Sequence, residues 1–189
     1  MHSEKVTPNE RLMDTQYDLD NVIRKVPDFP KPGVLYYDIT GILAVPTAFT
    51  YCIDRLEALC KGKNIDCIAG IEARGFVFAA PLAVRLGVPL VLVRKLGKLP
   101  GKAYKKSFEL EYGCDVVCVQ EVDVQVNSHV LLVDDLIATG GTLLAAASIF
   151  EEHGAKIEGV LGVIGLPFLN YDEVLHKYPV DVLLEYDAE

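Results

Sequence analysis

No apolar run in the sequence approaches the ~18 residues that a bilayer-spanning helix requires, so a transmembrane helix is not expected. Basic residues are in the minority: 18 Lys and Arg stand against 27 Asp and Glu, a formal net charge of −9. That balance argues against a nucleic-acid or anionic-membrane partner, and any anion must be held by a local cation cluster against the global field. Cysteine is sparse and odd in number, five in all, and Cys52, Cys60, Cys67, Cys114 and Cys118 form no C-x-x-C pair. Free thiols in a reducing compartment are expected rather than disulfides or a zinc site. Met1-His-Ser-Glu-Lys5 does not read as a signal peptide, and Tyr186-Asp-Ala-Glu189 is no peroxisomal tripeptide. Internal repeats and low-complexity tracts are lacking, and none of the four histidines stands beside a plausible nucleophile. These absences fit a cytoplasmic enzyme without selecting one. What is plentiful is apolar residues, 51% of 189, enough for one domain with a sizeable core.

The most informative stretch is residues 130–142. Val130 to Val133 are apolar and read as a strand buried on both faces. Asp134 and Asp135 follow, then the turn Ala138-Thr-Gly-Gly-Thr142. A helix is expected from Leu143 to Phe150, with Gly154 as its stop. The first amides of a helix lack intrahelical acceptors, and the dipole makes that end positive. Gly140 and Gly141 have no Cβ, so an anion can come close to the backbone, and Thr139 and Thr142 add hydroxyl donors. Two carboxylates just before such a turn suit ribose hydroxyls or a hydrated Mg²⁺. The plainer alternative is a strand ending in a solvated acidic pair, with Thr142 capping the helix.

The rest of the chain alternates strands and helices. Thr7-Pro-Asn-Glu10 reads as a capping box, and a helix is expected to run on to about Val26, with Leu12, Leu19, Ile23 and Val26 on one stripe. Pro27 to Gly33 reads as stiff and extended, leading into a strand at Val34 to Ile39. A helix is expected over Thr47 to Lys61, a strand over Asp66 to Gly70, a turn over Ile71 to Phe76, a helix over Ala79 to Leu86 ended by Gly87, and a strand over Val88 to Val93. Val116 to Gln120 and Lys156 to Ile164 read as further strands, while Val174 to Tyr178 and Val182 to Leu184 look peripheral. Such alternation implies an α/β fold with a mostly parallel sheet covered by helices on both faces. Ligands gather at the carboxyl ends of the strands in these sheets. The turns at Glu72–Gly75, Arg94–Lys95 and Asp134–Thr142 should then share one rim, where Arg74, Arg94, Lys95 and Lys98 supply cations. Gly97-x-x-x-Gly101-Lys102 has the wrong spacing for a Walker loop. The polar insertion from Leu96 to Gly113 reads as a mobile lid, in the form of a loop or a two-stranded flap.

Val133-Asp-Asp-Leu-Ile-Ala-Thr-Gly-Gly-Thr142 resembles the phosphoribosyl-diphosphate (PRPP) signature of the type I phosphoribosyltransferases. Four other stretches are similar to the adenine phosphoribosyltransferases and come in that family's order: Pro27-Asp-Phe-Pro-Lys-Pro-Gly33, Gly70-Ile-Glu-Ala-Arg-Gly-Phe76, Arg94-Lys-Leu-Gly-Lys-Leu-Pro-Gly101 and Leu110-Glu-Tyr-Gly113. The resemblance implies one phosphoribosyltransferase domain over 1–189, with an N-terminal helix and hood over 1–40 and a flexible catalytic loop over 96–113. It implies transfer of phosphoribosyl from PRPP to adenine, giving AMP and diphosphate with Mg²⁺, in a cytoplasmic homodimer. Asp134 and Asp135 would orient the ribose and hold the metal indirectly. Ala138, Thr139, Gly140, Gly141 and Thr142 would anchor the 5′-phosphate. Glu72, Ala73, Arg74, Arg94, Lys95 and Lys98 would surround the diphosphate, with an unusual, sometimes cis, peptide at Glu72–Ala73, and Arg94 could reach a neighbouring subunit's site. Leu35, Tyr36, Tyr37 and Leu136 would hold the base, mainly through backbone groups. Glu111 would exchange a proton with the purine, and Tyr112 would sit on the lid. Relatives commonly carry arginine at the position of Tyr37 and serine at that of Ala73. Two alternatives keep the PRPP site: a 6-oxopurine (hypoxanthine, guanine or xanthine) as acceptor, and a non-enzymatic regulator that senses PRPP. The hood offers no obvious donor for a purine O6, and the acidic chain has little room for a DNA-binding module.

Overall fold

A computed structural model describes residues 17–110 and 113–187. The chain divides into two compact units, Met1–Asp54 and Arg55–Glu189.

The first unit is built on a hairpin. Strand β1 (Arg24–Pro27) pairs antiparallel with β2 (Leu35–Asp38), with Val26 opposite Tyr36. The turn between them carries a cis Phe29–Pro30 peptide and Asp28 at φ 58°. Asp28 accepts from the Gly33 amide at 2.9 Å, and Phe29 meets Tyr36 edge-on at 5.0 Å. Helices α1 (Thr40–Ala44) and α2 (Pro46–Leu59) follow. The helix expected to reach Val26 is not there over its described part. Leu19–Val22 is one 3-10 turn, capped by the Asp18 carboxylate on the Asp20 amide at 3.0 Å, and the chain then becomes β1. Leu19 and Ile23 are buried at helical spacing, whereas Val26 is exposed, so the apolar stripe stops one turn early. Beyond it, β2 supplies ladder partners and Arg24 bonds Asp38 and Thr40, contacts that a local helix cannot offer. The Thr7 capping box lies outside the described residues.

The second unit is a seven-stranded sheet of order β5-β6-β4-β3-β7-β8-β9. Its strands are β3 (Cys67–Ile71), β4 (Leu90–Lys95), β5 (Ala103–Leu110), β6 (Gly113–Gln120), β7 (His129–Ile137), β8 (Lys156–Gly165) and β9 (Val180–Glu185). Helices α3 (Gly75–Leu86), α4 (Gly141–Glu152) and the single turn α5 (Tyr171–Val174) complete it. β4, β3, β7, β8 and β9 run parallel; β6 pairs antiparallel with β4 and β5 with β6. Alternate residues face opposite sides of each strand. Ala69, Ile71, Val91, Val93, Val130 and Leu132 join the core under α4 with Ala146, Ile149 and Phe150. Gly70 faces the other way, against Ala79 and Phe76 of α3. Each fully buried large side chain, such as Phe78, Leu82 or Phe150, contributes on the order of 1.5–3 kcal/mol. Gly87 closes α3 at φ 67°, its amide donating to Ala83 and Val84, as a left-handed cap should.

Two expectations need correction. β7 does not end at Val133 but continues through both aspartates to Ile137, because β8 pairs with it as far as Gly165. The end of the chain is not peripheral: β9 is a full parallel edge strand, in register with β8 from Val160 to Gly165. The insertion after β4 takes the form of the two-stranded flap: Ala103–Leu110 pairs residue by residue with Gly113–Gln120.

Candidate active site

In chain order the sheet grows from β3 to β4 on one side and to β7 on the other. Between β3 and β7 the winding direction changes, the kind of position at whose carboxyl ends such sheets bind ligands. A cleft of about 530 Å³ opens there, lined by Glu72, Arg74, Arg94, Lys95, Asp134 and Asp135, among others. A smaller hollow of about 90 Å³ adjoins it, formed by Asp134 and residues 136–143.

Three cations of this rim have a carboxylate partner. Arg74 Nε lies 2.6 Å from Asp135 Oδ2. Arg94 Nη2 donates to Glu72 Oε1 at 2.8 Å, and Arg94 Nη1 to the Lys98 carbonyl at 2.8 Å. Lys95 Nζ lies 2.9 Å from Asp115 Oδ2, and its amide donates to Glu72 Oε2 at 2.8 Å. Lys98 itself is exposed. Glu72 therefore pairs with Arg94. The Arg94 hydrogen bond lowers the Glu72 pKa, with help from the Lys95 amide. Lys95 does the same for Asp115. The peptide between Glu72 and Ala73 is cis, and Ala73 lines the cleft.

The acidic pair is not solvated. Asp135 is 5% exposed and Asp134 is half-buried, its Oδ1 accepting from the Asp135 amide at 2.8 Å. Burial raises both carboxyls above the ordinary range. The rise is larger at Asp134, where the charge of Asp135 adds to desolvation, while Arg74 opposes it at Asp135. Gly75 lets α3 start directly against β7, since a Cβ there would lie 2.8 Å from Asp134 Oδ1 and 2.9 Å from the Val133 carbonyl oxygen.

After Ile137 the chain turns through Ala138, Thr139 and Gly140 into α4. Gly140 sits at φ 80° and makes the N-cap, and its carbonyl accepts the first helical bond, from Leu144 at 2.9 Å. The N-cap is a glycine with no side-chain cap bond, so Thr142 is not the cap, and residues Gly140 to Leu143 of this helix start line the hollow. Leu136 is half-buried and lines both cavities. Leu35, Tyr36 and Tyr37 lie together on β2 of the first unit, with Tyr37 buried to 4%. Glu111 and Tyr112 lie outside the described residues. Sequence reasoning missed Asp115, Phe108 and Val117, which line the cleft from the antiparallel strands. The available signal was one acid, Asp115, inside the otherwise apolar run Cys114–Val119.

In chemical terms the rim offers paired cations that an anion could draw from their carboxylates, two buried carboxylates beside them, and a helix start open to a second anion. A profile of the phosphoribosyl transferase domain matches residues 42–167. The chain is 58% identical over 171 residues to an adenine phosphoribosyltransferase of Treponema denticola, covering 90% of each. It is 50% identical over 177 residues to one of Treponema pallidum, covering 94% of this chain and 93% of the relative. Among solved structures, an adenine phosphoribosyltransferase of Thermoanaerobacter pseudethanolicus superposes with a TM-score of 0.87 at 42% identity, over 89% of this chain and 98% of the other. One from Trypanosoma brucei, in complex with AMP, pyrophosphate and ribose-5-phosphate, gives 0.80 at 28% identity, over 97% and 82%.

Proposed function

We propose a division of labour for this rim on the premise that the chain belongs to the adenine phosphoribosyltransferases, purine-salvage enzymes that join adenine to the phosphoribosyl group of PRPP. The observation that carries it is the convergence of Arg74, Arg94 and Lys95 with Asp134, Asp135 and the Gly140–Gly141 turn at neighbouring strand ends.

The bond from the sugar C1 to diphosphate breaks as the bond from C1 to adenine N9 forms. Positive charge builds on C1 and negative charge on the leaving oxygen, so catalysis rests on positioning and on stabilising the leaving group. Arg74, Arg94, Lys95 and Lys98 take the diphosphate. The carboxylate partners of Arg74, Arg94 and Lys95 hold those three oriented beforehand and release them to the stronger anion. Glu72 and Ala73 shape the floor of that subsite. The amides and hydroxyls of residues 138–142 take the 5′-phosphate, with Gly140 and Gly141 allowing close approach. Asp134 and Asp135 accept from the ribose hydroxyls. The same two hard carboxylates would hold Mg²⁺ indirectly, through water or the ribose; among the described residues no group of three metal-ligating side chains stands ready to cage an ion. When bound, Mg²⁺ neutralises diphosphate charge. Leu35, Tyr36, Tyr37 and Leu136 hold the base. Glu111 accepts the N9 proton or shares a proton held elsewhere on the ring, and Tyr112 closes with it over the substrates, excluding water.

We further infer a homodimer, on the family's pattern, and a cytoplasmic setting, which suits five unpaired cysteines. No helix among the described residues is long and apolar enough to cross a membrane. A spectrophotometric assay with adenine, PRPP and Mg²⁺ tests the reading, with hypoxanthine, guanine and xanthine as controls. Adenine should give AMP, the three 6-oxopurines should give no nucleoside monophosphate, and turnover should depend on the added metal. Light scattering on the eluting enzyme tests the dimer.

A further inference from the structure

The last part of the chain packs beneath the turn assigned to the 5′-phosphate. Gly140, at φ 80°, is buried, and a Cβ built on it would lie 3.0 Å from Leu175 Cγ, 3.2 Å from Leu175 Cδ1 and 3.5 Å from Tyr171 Cβ. Leu175 is 0% exposed and Tyr171 2%. The two are tied to each other, the Leu175 amide donating to the Tyr171 carbonyl at 2.8 Å. Tyr171 is also anchored to the sheet. Its ring lies over Gly165, the last residue of β8, where a Cβ would come within 2.7 Å of Tyr171 Oη. Its hydroxyl donates to Glu185 Oε1 at 3.0 Å, at the end of β9. Burial and the Glu185 carboxylate both keep that phenol protonated, and so a donor. The end of β8 is in turn tied to β7, through the Leu166 amide on the Ile137 carbonyl at 3.0 Å, immediately before the turn. A chain of contacts thus runs from Glu185 through Tyr171 and Leu175 to the left-handed glycine.

We propose that Leu175 and Tyr171 are positioning residues for the 5′-phosphate subsite: they press on Gly140 from below and fix the turn that aims the first amides of α4. The inference rests on the reading of residues 138–142 as the phosphate turn. It assigns the C-terminal α5–β9 segment a place in substrate binding, although none of its residues lines either cavity. A buttress of this kind acts on affinity for the phosphorylated substrate and leaves the base subsite alone. General loss of packing would instead lower stability without favouring one substrate.

The test compares Leu175→Ala, Leu175→Met and Tyr171→Phe with the parent, all as full chains. Ribose 5-phosphate binding is followed by calorimetry and by amide NMR, and KM is measured separately for PRPP and adenine. For Leu175→Ala, the ribose 5-phosphate Kd and the PRPP KM should rise about tenfold, while the adenine KM stays within about twofold. Leu175→Met, which refills the space, should restore both. Tyr171→Phe keeps the ring but drops the Glu185 bond, and should raise the same two constants about threefold. A folded Leu175→Ala with parent-like ribose 5-phosphate affinity would overturn the proposal, as would equal losses for adenine and PRPP. Should Leu175→Ala fail to fold, Tyr171→Phe decides, and parent-like constants there overturn the proposal. If ribose 5-phosphate binds the parent without shifting the amide resonances of residues 138–142, the phosphate-turn reading falls too, which separates that failure from failure of the buttress alone.

Discussion

At the scale of single residues, the carboxylates of the rim differ by what surrounds them. Asp135 is buried against a guanidinium that is itself 43% exposed. Asp135→Asn keeps the shape and leaves Arg74 able to turn to water, so stability should change by no more than about 1 kcal/mol. The charge beside ribose and metal is lost, however, and PRPP binding and kcat should both fall. A near-parental kcat/KM for PRPP would return the acidic pair to a structural role. Glu111 is the candidate for proton transfer because the aspartates are committed to ribose and metal, and Glu72 is held by Arg94 and the Lys95 amide. Glu111→Gln should lower kcat by roughly 10²–10⁴-fold with a much smaller change in PRPP affinity. A variant within about threefold of the parent would leave positioning and electrostatics to carry the reaction.

At the scale of elements, the flap is two things. Its strand β5 is bound along its whole length to β6 and packs on α4, where Tyr104 stacks on His153 at 3.3 Å and Lys106 pairs with Glu152. Such a strand opens only when α4 lets go of it. Amide exchange should therefore be slow over Ala103–Ser107 with or without ligand. Protection gained with PRPP and a base analogue should be confined to Leu96–Lys102 and to residues from Phe108 through Tyr112. Uniformly fast exchange across 96–112 in the free enzyme would mean that the ladder does not persist in solution. The sequence showed the insertion's polarity and its boundaries. It did not show that β5 lies on α4, because that contact joins segments far apart in the chain.

At the scale of the whole molecule, pH acts in two opposing directions. Asp38 in the first unit, and Glu72, Asp66 and Asp115 in the second, have lowered pKa values: hydrogen bonds from Thr40, Arg94, His129 and Lys95, respectively, favour their charged forms. Each stabilises the fold above its ordinary pKa, and the contribution is lost as pH falls through the lowered one. Asp134 and Asp135 are raised by burial, so their protonated forms favour folding, and that contribution is lost as pH rises from the ordinary carboxylate range through their raised values. The four lowered groups outnumber these two, so Tm should fall as pH drops below about 4.5. Glu72→Gln should make that acid limb shallower, because one of the groups that must be protonated is gone. Parallel acid limbs for parent and variant would show that Glu72 contributes little to it.

The sequence by itself determined the order of parts that local chemistry dictates: an apolar strand, an acidic pair, a Gly-Gly turn and a helix, with cations after two other strands. Those follow from burial patterns, backbone freedom and helix-end amides, all properties of neighbours in the chain. Only the tertiary structure decided which groups meet. Arg74 takes Asp135 and Arg94 takes Glu72, because β3, β4 and β7 lie side by side. β7 runs on through its aspartates because β8 offers the ladder, and Arg24–Pro27 is a strand because Leu35–Asp38 comes back to pair with it. Leu175, in a segment that reads as peripheral, lies under the glycine that begins α4. Hydrogen-bond partners and packing surfaces of this kind come from distant parts of the chain, and no local pattern encodes them.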